Sequence, residues 1–87
     1  MERVGAFELT EGPEYAYAQV ANHLEKRIRA GELPPLARLP GERELAAEYG
    51  VALGTVRRAM QEMRERGLVT TTPSKGTFIL RQSPADI

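Results

Sequence analysis

The sequence has no cysteine, one histidine (His23) and one aspartate (Asp86) among its 87 residues. Without cysteine there is no disulfide to staple the fold and no thiolate to serve as nucleophile or metal ligand. That usage fits a reducing compartment, and a cytoplasmic location is expected. A lone histidine cannot assemble a metal-ligand set, so His23 is read as a packing or surface residue and no metal site is expected. No Ser–His–carboxylate arrangement and no glycine-rich phosphate loop can be traced, so no catalytic residue, no cofactor and no enzyme activity are expected. No stretch approaches the ~18 apolar residues of a membrane span. Residues 1–10 lack the basic start and apolar run of a secretory signal. Internal repeats and low-complexity segments are missing as well.

Net charge is also absent: 12 basic side chains face 12 acidic ones. Their distribution is uneven. Glu2, Glu8, Glu11 and Glu14 oppose Arg3 alone in residues 1–16, a net of −3, which leaves +3 for residues 17–87. Arginine supplies 10 of the 12 basic residues. Its planar fork suits phosphate and guanine edges, whereas lysine is a point charge. Codon usage in a GC-rich genome explains the same bias, so the count alone decides nothing.

A chain this short forms one small domain and buries only roughly 60–65% of its unfolded surface, so the core is thin. Residues 1–14 lack periodicity and contain Gly5, Gly12 and Pro13; they read as a flexible acidic arm. Val4, Phe7 and Leu9 offer that arm apolar side chains without a partner evident from sequence. From Tyr15 onward Tyr17, Val20, Ala21, Leu24 and Ile28 form one stripe of a 3.6-residue period. Gly31 ends this first helix and Pro34-Pro35 prevents a restart. Ala37–Leu39 is a short extended piece ahead of Pro40.

A second helix is predicted from Glu42 to Tyr49, with Gly41 as its N-cap and Leu45, Ala46 and Tyr49 facing inward. Gly50 stops it. A third helix starts at Ala52 or Leu53, ends before Gly67, and turns Val56, Ala59, Met60 and Met63 inward. Two short helices joined by a glycine-containing turn make a helix-turn-helix over about 41–60. The period then changes: Leu68–Thr72 and Thr77–Leu80 read as strands around the turn Pro73-Ser74-Lys75-Gly76, a wing over about 68–81. Residues 82–87 read as a frayed tail. The fold class is therefore mostly α with a small β-hairpin: a three-helix winged helix-turn-helix spanning residues 15–81.

The outer face of the third helix carries Gly54, Thr55, Arg57, Arg58, Gln61, Glu62, Arg64 and Glu65. Small, hydroxyl and arginine residues gather at its amino end, the end that a recognition helix inserts into a major groove. An ordinary solvated face stabilised by a Glu62–Arg66 pair is the competing reading. Arg43 stands in the first turn of the second helix, where the dipole disfavours a cation. Contact with phosphate or a base is one reason for it to be there; pairing with Glu42, Glu44 or Asp86 is the other. Lys75 at the hairpin tip is either a minor-groove contact or a solvated lysine, and Gly76 either serves the same contact or only turns the chain.

The runs Ile28-Arg29-Ala30-Gly31-Glu32-Leu33-Pro34-Pro35, Leu39-Pro40-Gly41-Glu42-Arg43-Glu44-Leu45-Ala46, Tyr49-Gly50-Val51 and Gly54-Thr55-Val56-Arg57-Arg58-Ala59 resemble the amino-terminal domain of the GntR family of bacterial transcription regulators. So do Glu65-Arg66-Gly67-Leu68-Val69 and Lys75-Gly76-Thr77-Phe78-Ile79; together they cover about residues 15–80. The resemblance implies a winged helix that dimerises on palindromic or near-palindromic double-stranded DNA, with the recognition helix in the major groove and the wing tip in the minor groove. The positions it assigns to DNA are Arg43, Ala52, Leu53, Thr55, Arg57, Lys75 and Gly76; the outer face adds Gly54 and Arg58. Three departures stand out. Ala52 replaces the usual Ser or Thr cap, which costs about 1 kcal/mol. Leu53 and Gly54 replace the usual Arg and Thr, so Leu53 is expected to meet a thymine methyl rather than a guanine. No effector-binding domain and no small-molecule effector site is expected in these residues. The function expected is promoter occlusion by a repressor; a winged helix serving protein interaction, or a small enzyme, are the readings it has to beat.

Overall fold

The computed structural model describes residues 4–12 and 14–82. Its elements are α1 (Ala16–Arg29), α2 (Glu42–Tyr49), α3 (Leu53–Glu65), β1 (Val69–Thr72) and β2 (Gly76–Ile79). This is the winged helix-turn-helix expected from the periodicity. The inward stripes are the ones the sequence marks: Val20, Ala21, Leu24 and Ile28 from α1, Leu45 and Tyr49 from α2, and Val56, Ala59, Met60 and Met63 from α3 are all buried. Leu39, Leu68, Val69 and Ile79 close the same core from the connector and the wing. In a core this thin, truncating a fully buried residue such as Leu24 to alanine costs about 2–5 kcal/mol.

The helix-turn-helix corner depends on local backbone chemistry. Gly41 takes extended backbone and its N–H donates to Glu44 Oε1 at 3.1 Å, satisfying a group left free at the start of α2. Gly50 ends α2 in the left-handed region at φ 66°, with its N–H on the Ala46 carbonyl. Ala52 precedes α3 without a side-chain cap, as the sequence leads one to expect.

The wing differs from the sequence reading in two respects. Gly76 belongs to β2 rather than to the turn: the register pairs Val69 with Ile79, Thr70 with Phe78, Thr71 with Thr77 and Thr72 with Gly76. The chain therefore reverses over Pro73-Ser74-Lys75, with Ser74 at φ 68°. The extended piece before Pro40 is also a partner of the wing. Arg38 bridges Phe78 in antiparallel fashion, Leu39 N–H donates to Thr77 O at 2.8 Å, and Ile79 N–H donates to Ala37 O at 2.9 Å. Leu36 N–H starts this pairing with a 2.7 Å bond to Ile79 O, and Leu36 itself sits at φ 70°, a costly conformation for a branched side chain. The connector thus acts as a short third strand on the free edge of β2.

The amino-terminal segment also departs from expectation. Rather than standing loose, Phe7 packs edge-on against His23 (centroids 5.5 Å apart) and Tyr49 (4.9 Å). The His23 and Tyr49 rings, one on α1 and one on α2, supply the burial that a local sequence pattern does not reveal. Leu9 stays exposed. The expected frayed tail lies, apart from Gln82, outside the described residues, as does Asp86.

Candidate nucleic-acid interface

Two sets of ionic contacts set the angles between the helices. Arg66 at the end of α3 reaches Glu62 (3.0 Å) and Glu25 of α1 (2.8 Å), so the helical pair read from sequence extends into a bridge between helices. Burial would raise the Glu25 carboxyl, but hydrogen bonds from Arg29 and Arg66 outweigh it and hold that group below its ordinary range. Arg27 of α1 is only 15% exposed and donates to Glu32 (2.7 Å), to Glu48 of α2 (2.9 Å) and to the Tyr49 hydroxyl (3.2 Å). Burial works against its charge, but the bonds to Tyr49 and Glu32 raise its affinity for the proton above that of a free guanidinium. His23 completes this network, with Nδ1 on Tyr49 Oη at 2.8 Å and Nε2 on the Gly5 carbonyl at 2.7 Å. A carbonyl only accepts, so Nε2 carries a proton, and in the neutral ring Nδ1 accepts from the tyrosine. His23 is thus a packing residue of the α1–α2 corner.

That scaffold presents α3 with its amino end outward. Ala52 and Gly54 are exposed, and Leu53 and Thr55 are half-buried. A Cβ placed on Gly54 would meet nothing within 4 Å, so packing inside the protein does not require glycine there. The outcome is a first turn of α3 with no side chain at its most open point, where another molecule can approach the backbone closely.

The cations around this turn fall into three conditions. Arg43 is exposed and has no hydrogen bond or ion pair among the described residues, so pairing with Glu42 or Glu44 does not account for it. Arg57 is held toward the first turn of α2 by Glu42 at 3.2 Å, in a pair 61% and 44% exposed. Such a pair contributes little and yields readily to a phosphate. Arg58, which the helical pattern places on the outer face, turns toward α1 instead. Its guanidinium carbon lies 4.2 Å from the centre of the Tyr17 ring, Nη2 donates to Tyr17 Oη at 3.3 Å, and Nη1 approaches Glu62 at 4.0 Å. Aromatic stacking, worth about 0.5–1 kcal/mol at such a site, explains the turn. The Glu42 contact thus brings Arg57 of α3 to the first turn of α2, where Arg43 stands, and the Tyr17 contact sets Arg58 apart. Lys75 is exposed at the wing tip without a partner among the described residues.

Sequence reasoning missed one basic residue of this surface. Arg38 comes from the connector, crosses onto the wing and lies over Gly76: a Cβ there would stand 2.7 Å from Arg38 Nε. The signal was available only by pairing Ala37–Leu39 with the strand that begins at Gly76.

Comparison with known proteins agrees with this geometry. The family described as bacterial regulatory proteins, gntR family, matches residues 16–79. The chain belongs to the GntR family. It carries that family's helix-turn-helix DNA-binding unit. It is 43% identical over 70 residues to the HTH-type transcriptional regulator Rv1152 of Mycobacterium tuberculosis, a match covering 80% of this chain and 58% of that protein. It is 36% identical over 69 residues to the HTH-type transcriptional repressor NagR of Bacillus subtilis, covering 79% of this chain and 28% of NagR. The chain thus spans little more than half of the one relative and under a third of the other. Among solved structures, AraR(DBD) in complex with operator ORX1 superposes with a TM-score of 0.74 at 31% identity, covering 86% of this chain and 98% of that one. No helix among the described residues is long and apolar enough to cross a membrane.

Proposed function

We propose that this GntR-family chain binds double-stranded DNA sequence-specifically in the cytoplasm, as two copies on a palindromic or near-palindromic operator, and represses by occluding a promoter. The observation that carries the reading is the bare first turn of α3 at Gly54, with the weakly paired Arg57 on the same helix and Arg43, unpaired among the described residues, in the first turn of α2 that Arg57 reaches. The amino end of α3 enters the major groove. Arg43 and Arg57 grip phosphates or guanine edges, Thr55 reaches a phosphate or a thymine methyl, and Leu53 makes an apolar contact with a thymine methyl. The wing tip at Lys75 and Gly76 lies in the adjacent minor groove. Support for repression comes from relatives named as repressors, and support for an operator partner from the AraR complex. A single copy reads only one half-site, so tight binding needs the second.

Selection of bound sequences from random DNA, followed by a salt titration on the selected duplex, tests the proposal. A two-fold symmetric site and an affinity falling steeply with salt, by roughly 0.9 in log–log slope for each phosphate neutralised, are expected. An affinity that barely changes between low and moderate salt overturns it in favour of a protein-interaction module.

A further inference from the structure

We propose a second anion-gripping point on the wing, formed by Arg38 and Lys75 on either side of Gly76, whose ligand is a DNA backbone phosphate. The inference rests on the DNA-binding reading above and adds to it a residue and a site that the recognition helix does not explain.

Three observations place Arg38 there. The connector from Leu36 to Leu39 is hydrogen-bonded along β2, so Arg38 rides on the wing as part of its sheet. Its register partner is Phe78, and residues two apart on a strand share a face, so the Arg38 side chain lies diagonally over Gly76. The close approach to Gly76 confirms the direction: Nε, Cζ and Cδ of Arg38 lie 2.7, 3.4 and 3.5 Å from the position a Cβ would take. Gly76 sits at φ 120°, a backbone conformation that favours glycine, and the missing side chain leaves room for the arginine to cross it.

The charge of Arg38 is not neutralised by any of the described residues. It is exposed and makes no ion pair or hydrogen bond among the described residues. An arginine that only braced the wing would be expected to find a carboxylate or a carbonyl, as Arg66 and Arg27 do. Lys75 immediately precedes Gly76 in the turn and is also unpartnered. Two cations without a hydrogen bond or ion pair among the described residues thus stand at a residue with no side chain, Arg38 crossing it and Lys75 next to it in the chain. A planar fork beside a point charge is a fit for one phosphodiester oxygen pair. The connector strand ties this grip to the α2 amino end, because Arg38 and Arg43 are separated only by Leu39-Pro40-Gly41-Glu42. Wing and helix-turn-helix would then be held on the duplex by one continuous segment.

The test is fluorescence anisotropy of the full chain on a labelled mixed-sequence duplex of two helical turns and on the selected operator, at several salt concentrations. Wild type, R38A, R38K, K75A, the R38A/K75A double variant and R43A are compared. R38A is expected to lower the salt slope by about 0.9 on both duplexes and to weaken binding about tenfold. R38K, which keeps the charge and loses the fork, falls between. R38A and K75A should be non-additive, because they share one phosphate. Melting temperatures should match wild type, since neither side chain has a hydrogen bond or ion pair among the described residues. A wild-type slope in R38A alongside a reduced slope in R43A overturns the wing site and leaves the DNA-binding reading standing. A wild-type protein without salt dependence overturns both.

Discussion

The arginines of the α1 side and those of the reading side are the same residue type in opposite circumstances. On the α1 side Arg27, Arg29 and Arg66 each sit within 3.0 Å of a glutamate oxygen, and two of them tie helices together. On the reading side Arg38 and Arg43 meet no carboxylate among the described residues, and Arg57 keeps Glu42 only at 3.2 Å in solvent. The zero net charge of the chain is therefore an average over two surfaces. Glutamates neutralise the scaffold and leave cations uncommitted near α2, the connector and the wing. Lys26 shows that a free cation alone is no sign of a site, because it stands on α1 with nothing of this kind around it. What distinguishes the reading side is free charge next to residues without a side chain, Gly54 open and Gly76 crossed by Arg38.

The largest effect should come from stripping the reading side. R43A/R57A is expected to weaken operator binding about 100-fold, from two charge-assisted contacts of about 1.5 kcal/mol each. Stability should move by less than about 0.5 kcal/mol, as for other exposed substitutions. Anisotropy and thermal denaturation measure the two quantities, and unchanged binding would remove the basis of the comparison. The mirror-image change is R27A. It leaves Glu32, Glu48 and Tyr49 facing one another in a partly buried corner, and should cost about 2–3 kcal/mol of folding stability, discounted for the exposure of Glu48. Its salt slope on DNA should stay at the wild-type value once the protein is folded. A reduced slope would mean that the two surfaces are not separate.

Much of this architecture is legible in the chain, because helix stripes and turn residues are local signals. The buried residues of α1, α2 and α3 are those that recur at helical spacing, and Gly41, Gly50 and Gly67 stand where helices begin or end. The place of Leu53, Gly54 and Thr55 in the first turn of α3 was legible for the same reason, since it follows directly from the register of that helix. What escaped depends on contacts between distant segments. Phe7 finds His23 and Tyr49 across the α1–α2 groove, and Ala37–Leu39 finds β2 some forty positions later. No periodicity encodes either pairing. Arg58 escaped more narrowly: the wheel places it outside, and a tyrosine on another helix draws it back.

Acid sharpens the same contrast on the scaffold side. Glu25 is held below the ordinary glutamate value of 4.5 because its hydrogen bonds with Arg29 and Arg66 outweigh burial. A depressed carboxyl contributes stability above its unfolded value and loses it as the pH falls through the folded one. Thermal denaturation between about pH 7 and pH 3 should show wild type more stable than E25Q by about 1 kcal/mol at neutral pH, with the gap closing as the pH drops below 4.5. A gap that stays constant with pH would mean that the Arg66 bridge contributes through packing and not through charge.

The smallest change in stability is the most discriminating, because fold and function should move in opposite directions. Gly54 sits in the first turn of α3 at a backbone conformation open to any residue, and an added methyl meets nothing. Alanine loses less backbone freedom on folding than glycine, so G54A should stabilise the domain by about 0.5 kcal/mol. If the turn approaches a base edge, the same methyl is overpacked in the complex and should weaken operator binding about fivefold, or about 1 kcal/mol. Binding to mixed-sequence DNA should change less, since phosphate contacts do not depend on that approach. A G54A protein that is more stable and binds the operator as well as wild type would show that the bare turn is a vacancy and not a reading surface. The glycine would then have no explanation inside or outside the molecule.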